Sequence, residues 1–402
     1  MPTYGGTLAA VRALGRDGVR VTVAGNEWLA PARWSRHADR VVRCPAPRDP
    51  AFLEWLLRFG EREPGHLLHP TSDDLAWILA RNEAALSRHF LLFQPPVSTV
   101  VSLLDKRRLH QACTDVGVPT LPTWFPGSPE EVERLAPSLP FPLVLKPRTQ
   151  VFLASWSHGR AVDDARALVA AYRDCLVRDR YLPGPERDFG PLEGPILQAY
   201  HPAEHVYSLA GFIDRGGELL GMRASRKIIQ RPRGLGVGLL FEDAPLDPSV
   251  AEGLVRLCRR TGYFGVFEAE FVQVADRYHL IDFNPRYYGQ MQFEISRGLP
   301  LPLLVHRAAM GDTAGLARLA ASGGAPHQRG MTFSFDFGLR MVSAMRGVLG
   351  RATDRDSGRP SGTARIDASA DPEDPGPGWV HAMADVVAAV RHPRAFYRAN
   401  LR

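Results

Sequence analysis

The stretch GVFEAEFVQVADRYHLIDFNPR, residues 265–286, decides how the rest of this chain is read. Its halves, GVFEAEFVQV and YHLIDFNPR, are rich in β-branched and aromatic residues, and only Ala275, Asp276 and Arg277 separate them. That is the pattern of two antiparallel strands joined by a tight turn. Side chains alternate faces along a strand, so Glu268 and Glu270 share one face and Asp282 and Asn284 share another. Across a tight turn the two faces can converge. Three carboxylates and an amide on one wall repel one another and lose hydration unless a cation sits among them, and hard oxygen donors suit magnesium, with manganese the alternative. A solvated sheet edge is the plainer reading. Against it, Phe267, Phe271, Leu280, Ile281 and Phe283 make both strands otherwise apolar.

Outward from the hairpin, lysine is the informative residue. Only Lys106, Lys146 and Lys227 occur among 49 basic residues, so arginine serves nearly everywhere a surface cation is needed. A lysine kept against that bias marks a place where a compact ammonium fits and a planar guanidinium does not. Lys227 lies in a strand-like stretch that runs into Arg231-Pro232-Arg233-Gly234-Leu235-Gly236-Val237-Gly238, a loop whose glycines at alternate positions let it fold over a ligand. Between the lysines, PILQAY and HVYSLAGFID read as strands. FPLVLKP is a strand, Asp163 to Arg178 an amphipathic helix, PGPERDFGPLEGP a loop, and LLDKRRLHQACTDVGVP a helix ended at Gly117 and Pro119.

Before residue 99 the chain alternates. Gly5-Gly6 open a helix, strands follow near Val19–Ala24, Asp39–Val42 and Leu67–His69, and helices fill Asp49–Arg62 and Asp73–His89. This is a βαβ pattern. It expects a strand before Gly5, where only four residues stand, so either the first strand is missing or the start lies too far downstream. There is no G-x-G-x-x-G to mark a dinucleotide site. At the other end, residues from about 350 to 378 are rich in Gly, Pro, Ser and Asp and read as an exposed connection.

Composition narrows the class. With 402 residues, 45% hydrophobic and 23% charged, the chain can bury several cores, which excludes wholesale disorder. Cys44, Cys113, Cys175 and Cys258 form no C-x-x-C pair, which excludes a zinc or disulfide framework and places the protein in the cytoplasm. The net charge of +6 is spread without basic runs, so no nucleic-acid partner is expected, and no apolar run is long enough to cross or anchor in a membrane. Motifs of serine hydrolases, zincins and P-loop proteins are missing.

Taken together, Glu270-Phe271, the run Asp282-Phe283-Asn284-Pro285-Arg286 twelve residues on, Lys106 in LLDKRRL and Lys146 in FPLVLKP resemble the ATP-grasp superfamily, in its carboxylate–amine ligase branch with a carbamoyl-phosphate-synthetase-like core. The resemblance spans roughly Val100 to Asp312. It implies an α/β fold with an α+β grasp core: a Rossmann-like pre-ATP-grasp domain over residues 1–98, a two-subdomain ATP-grasp unit over 99–312, and a C-terminal extension over 313–402. It implies ATP and Mg2+ as cofactors, with Glu270, Asp282 and Asn284 as metal ligands and Lys106 and Lys146 on the nucleotide. Gln198-Ala199-Tyr200-His201 resembles the hinge that meets adenine, with Glu204 or His205 near the ribose. The phosphate-covering loop, glycine-rich in relatives, reads TQVFLASWSHGR over 149–160 with a single glycine, so Ser155, Ser157 and Arg160 supplement the backbone amides there.

The activity so implied is ligation of a small-molecule carboxylate to an amine through an acyl phosphate, with release of ADP and phosphate. Arg286, pointing away from the acids, holds the carboxylate or stabilises the tetrahedral charge. Lys227 is expected to reach the γ-phosphate or the acyl phosphate, the alternative being a strand-end lysine paired with an acid. Tyr287 and Tyr288 either wall the substrate pocket or pack in the core. Asp282, where relatives more often carry Glu, shortens that ligand by one methylene. A homodimer is the assembly expected. Two other readings stand beside this one: a bicarbonate-using carboxylase or carbamoyl-phosphate-type enzyme, and a nucleotide-binding regulator without turnover, for which the glycine-poor loop speaks.

Overall fold

The computed structural model describes residues 3–155, 159–192, 194–202, 205–231, 235–323, 330–335 and 364–391. The architecture is a mixed α/β fold. Near the N-terminus a helix (Thr3–Arg16) leads to β1 (Thr22–Ala24) and β2 (Arg40–Val42), which pair in parallel. A helix (Ala51–Arg62), β3 (Leu67–Leu68), a helix (Asp73–Arg81) and β4 (Leu91–Leu92) follow, with β3 and β4 also parallel. The alternation read from sequence is present, but the four strands make two separate two-stranded sheets. What unites this region is helix packing: Phe52, Leu56 and Phe59 recur at helical spacing and meet Trp77, Ile78 and Val101 in one core.

The helix expected through LLDKRRLHQ breaks at Asp105. One helix ends at Leu104 and another runs Lys106–Val116, because Asp105 adopts extended backbone and its side chain caps the second helix through the Arg107 amide at 3.0 Å. That buried carboxylate also takes two hydrogen bonds from Arg148, at 2.9 and 2.6 Å.

Next comes a four-stranded antiparallel sheet in the order β5 (Thr123–Trp124), β8 (Ile196–Ala199), β6 (Leu143–Lys146), β7 (Arg160–Val162). The helix Ala165–Arg178 covers it with Leu168, Ala171 and Tyr172. The stretch read as a plain loop before β8 contains a short helix, Glu186–Phe189, because Phe189 is drawn into the N-terminal core.

The main sheet has seven strands in the order β13 (Arg277–Asn284), β12 (Gly265–Val274), β9 (Val206–Ile213), β10 (Leu219–Arg231), β11 (Val237–Ala244), β14 (Met331–Ser334), β15 (Ala364–Asp367). All neighbours are antiparallel except β14 and β15. The helix Pro248–Thr261, capped by Asp247 and closed by Gly262 at φ 69°, packs Leu254 and Leu257 on one face. Helices Thr3–Arg16, Met291–Ser296 and Leu301–Ala309 cover the other. An exposed connection through residue 378 does not hold over its second half. Residues 350–363 lie outside the described residues, Ala364–Asp367 are a strand, and Asp374 is buried, accepting from Arg12 Nε at 2.8 Å, Ser35 Oγ at 2.7 Å and the Arg36 amide at 2.8 Å. That triple acceptance satisfies a carboxylate that polar composition alone would leave in water.

Among the described residues no helix is long and apolar enough to cross a membrane.

Candidate active site

In the hairpin Glu268 lies opposite Asn284 and Glu270 opposite Asp282. A bulge follows, so that Phe271 faces Leu280 and Ile281 is the extra residue. Glu268 is not a solvated edge group. It is 1% exposed and accepts hydrogen bonds from Ser208, from Asn284 Nδ2 at 2.6 Å and from Gln290 Nε2 at 3.0 Å.

Each lysine arrives from a different element. Lys106 opens its helix and places Nζ 2.6 Å from Asp282 Oδ1. Lys146 ends β6 and donates to Gln198 Oε1 on neighbouring β8 at 2.9 Å. Lys227 lies within β10 and reaches across β9 to pair with Glu270 on β12; small Ser208, opposite both Ser225 and Glu270, leaves room for the crossing. Gly238 is required beside it, since a Cβ there would stand 2.1 Å from the Phe241 ring and 2.9 Å from Lys227 Cγ. Thus all three lysines of the chain line one cleft of about 490 Å³, together with Gln198, Ala199, Tyr200, His201, Glu270, Asp282, Asn284 and Arg286.

Opposite charges crowd this cleft, and the titration of each group reflects it. Burial, and then Lys106, pushes Lys146 down to about 8. Burial and the charge of Glu270 push Glu268 up to about 7. Burial would lower Lys227, but Glu270 and Glu268 outweigh it and hold the ammonium charged. For Asp282 burial acts upward, and Lys106 outweighs it so that the carboxyl stays below its ordinary value.

Arg286 does not point away from the acids. Its guanidinium pairs with Asp73, donates to Asn284 Oδ1 at 2.9 Å and lies close enough to Glu268 and Asp282 to be held charged by both. Tyr287 and Tyr288 divide the two roles open to them. Tyr287 is buried with its hydroxyl 2.7 Å from His69 Nδ1, whereas Tyr288 lines the cleft while its hydroxyl donates to Glu294 at 2.8 Å. Ser155 is not brought to the cleft; its hydroxyl donates to Asp179 at 2.7 Å, a partner supplied by the end of the neighbouring helix. His205 does not line it either, and Ser157 and Glu204 lie outside the described residues.

Several lining residues had no sequence signal of their own. Asp73 and Asp74 look like ordinary first-turn acids behind the N-cap Ser72, yet Asp73 holds Arg286 from 213 positions away. Gly5 and Gly6 read as a helix opening; in the structure they let that helix touch the cleft wall, since a Cβ on either would stand 2.3 Å from Gly289 O or 2.5 Å from Tyr288 O. Phe335, just past β14, closes another side of the cleft.

Among the described residues no three His, Cys, Asp or Glu side chains stand close enough to hold a metal by themselves. The donor set at the hairpin is nonetheless all oxygen, from two carboxylates and an amide, and each carboxylate already carries a cation, Lys227 on Glu270 and Lys106 on Asp282. Such a set suits an ion that takes one or two carboxylates from the protein and its other ligands from a phosphorylated substrate.

No protein-family model matches the chain. The D-aspartate ligase of Enterococcus faecium (strain Aus0004) is 23% identical over 201 residues, covering 45% of this chain and 47% of the relative, so the chain spans about half the length of the curated relative it matches. The biotin carboxylase domain of Hydrogenobacter thermophilus 2-oxoglutarate carboxylase, crystallised as a dimer with MgADP, ADP and bicarbonate, superposes with a TM-score of 0.59 at 20% identity, covering 76% of this chain and 68% of that one. N5-carboxyaminoimidazole ribonucleotide synthetase from Thermus thermophilus superposes with a TM-score of 0.54 at 20% identity, covering 77% and 76%. At these identities the likeness is one of fold. The resemblance drawn from the hairpin and its two lysines is therefore matched at that level: this chain shares the fold of the carboxylase domain and of the ribonucleotide synthetase.

Proposed function

We propose that the protein is an ATP-dependent carboxylate–amine ligase. A substrate carboxylate oxygen attacks the γ-phosphorus with loss of ADP; the amine then attacks the acyl phosphate carbon, and phosphate leaves as the C–N bond forms. The observation that carries this reading is the convergence of all three lysines, the acid–amide hairpin and the Gln198–His201 segment on one cleft. The D-aspartate ligase supports joining carboxylate to amine, and the MgADP in the carboxylase neighbour supports ATP with Mg2+.

In this reading Gln198, Ala199, Tyr200 and His201 receive the adenine, and Lys106 and Lys146 meet phosphate oxygens as point charges. Glu270, Asp282 and Asn284 would hold Mg2+, which supplies charge neutralisation on the phosphates. Arg286, oriented by Asp73, faces the carboxylate, and Lys227 faces the γ-phosphate. Residues 1–98 would serve as the Rossmann-like domain preceding the grasp unit of 99–312. A cytoplasmic homodimer is the setting we infer, the dimeric carboxylase domain being the support for the assembly.

The test is release of ADP from MgATP across a panel of carboxylates. With hydroxylamine as trap, an acyl hydroxamate should form in proportion to ADP, and with the true amine an amide should replace it. ADP release that requires bicarbonate would instead point to carboxylase chemistry. Nucleotide binding with no release for any acid would make the protein a regulator.

A further inference from the structure

The segment expected to cover phosphates begins with a stem, residues 149–155, that is built into the N-terminal part of the molecule. Val151 and Leu153 are 0% and 1% exposed, and Val151 and Phe152 pack with Trp77 and Phe189. Phe152 has φ 54°, a left-handed conformation that glycine adopts freely and phenylalanine does not. Such a residue persists only where its surroundings over-determine it. Here they do. Its amide donates to Asp74 Oδ1 at 2.8 Å, its ring meets Trp77 edge-on at 5.2 Å, and its carbonyl accepts from the Leu182 amide at 2.8 Å. Asp74 Oδ2 accepts from Arg48 Nε at 2.6 Å, and Arg48 Nη1 donates to the carbonyl of Leu153 at 2.5 Å. Gln150 at the start of this stem lines the cleft, as do Arg48 and Asp74.

We infer that Asp74 is a positioning residue for the phosphate loop: through the Phe152 amide and through Arg48 it holds the stem in place before nucleotide arrives, supplying from outside the order that a glycine-rich loop gains only on binding. The inference rests on the ATP reading above and says what sets nucleotide affinity in it. Ordering completed in advance strengthens binding and leaves the chemical step alone. Asp74→Ala should therefore raise KM for MgATP by ~10-fold while kcat changes by less than ~3-fold. In the free protein, amide hydrogen exchange at residues 150–155 should quicken. Asp74→Asn keeps an oxygen acceptor for the Phe152 amide and should restore most of both. Asp73→Asn, on the same helical turn but bonded to Arg286, should leave exchange at 150–155 as in wild type, which separates loop anchoring from general damage to the helix.

Wild-type exchange or wild-type KM in Asp74→Ala would overturn the inference, as would a fall in kcat with KM unchanged. Should that variant fail to fold, Asp74→Ser, too short to span the bond to Phe152, carries the same expectation and the same overturning results. Wild-type protein that binds no MgATP would count against the ATP reading alone, because exchange in the free variants still reports on the anchor.

Discussion

Lys146 shows at the residue scale why an ammonium was kept. Half-buried and beside Lys106, it is pushed down to about 8 in the free protein, against an ordinary 10.5. A nearby phosphate favours the charged form, so binding raises that value. Between the two values the free lysine is neutral and the bound one charged. Nucleotide binding at about pH 9 should then take up a proton, and affinity should weaken as pH rises through that window. Calorimetry in buffers of different ionisation enthalpy measures the uptake; zero uptake at pH 9 would refute the assignment. Lys146→Arg should weaken nucleotide binding although charge is conserved, because a planar guanidinium does not replace a compact ammonium as a point donor. Lys227 makes a different prediction. Its ammonium already sits on Glu270, which realises the ion-paired alternative, but within a strand and inside the cleft. Lys227→Arg should lower turnover by ~10-fold or more with ATP affinity little changed, as expected when the contact matters mainly in the transition state. Equal turnover at saturating ATP would remove Lys227 from the chemistry.

The hairpin is the element whose reading travels furthest from sequence to structure. The tight turn sets Val274 against Arg277 and Phe271 against Leu280, and the bulge at Ile281 then brings Asp282 and Asn284 opposite Glu270 and Glu268. Glu270→Gln or Asp282→Asn removes charge but little volume. Each should abolish magnesium-dependent ATP turnover while the far-ultraviolet circular dichroism and melting temperature stay near wild type. Unchanged turnover in both would take the hairpin out of the site. Other elements were less legible. The break at Asp105 depends on Arg148, forty-three positions on, without which the helical pattern reads straight through. Ser155 stands in the phosphate-covering segment by sequence, but its hydroxyl is taken by Asp179, twenty-four positions on.

At the scale of the molecule, the C-terminal segment is locked to the N-terminal helix. Arg12, 2% exposed, donates to the Asp374 carboxylate and to the carbonyls of Ser369 and Asp374. Truncating one member of a buried ion pair leaves the other charge unpaired, so Asp374→Ala should cost about 3 kcal/mol, read as a lower urea midpoint. Because no Asp374 atom lines the cleft, MgATP binding in the folded variant should be retained. A midpoint within error of wild type would show that water reaches Arg12 there.

By itself the sequence determined the hairpin, the acids and amide it carries, the three informative lysines and the ATP-grasp resemblance. Those features rest on local periodicity and composition, which a chain carries whatever it folds against. Only the tertiary structure decided that Asp73 pairs with Arg286, that Asp74 accepts from the Phe152 amide, that Lys227 crosses β9 to Glu270, and that Asp374 lies under Arg12. It also decided that the N-terminal strands form two small sheets. Each of these depends on side chains brought together across tens to hundreds of residues, where no local period exists to be read. The partner is chosen by burial, because a charge removed from water must find its complement wherever the packed chain places one.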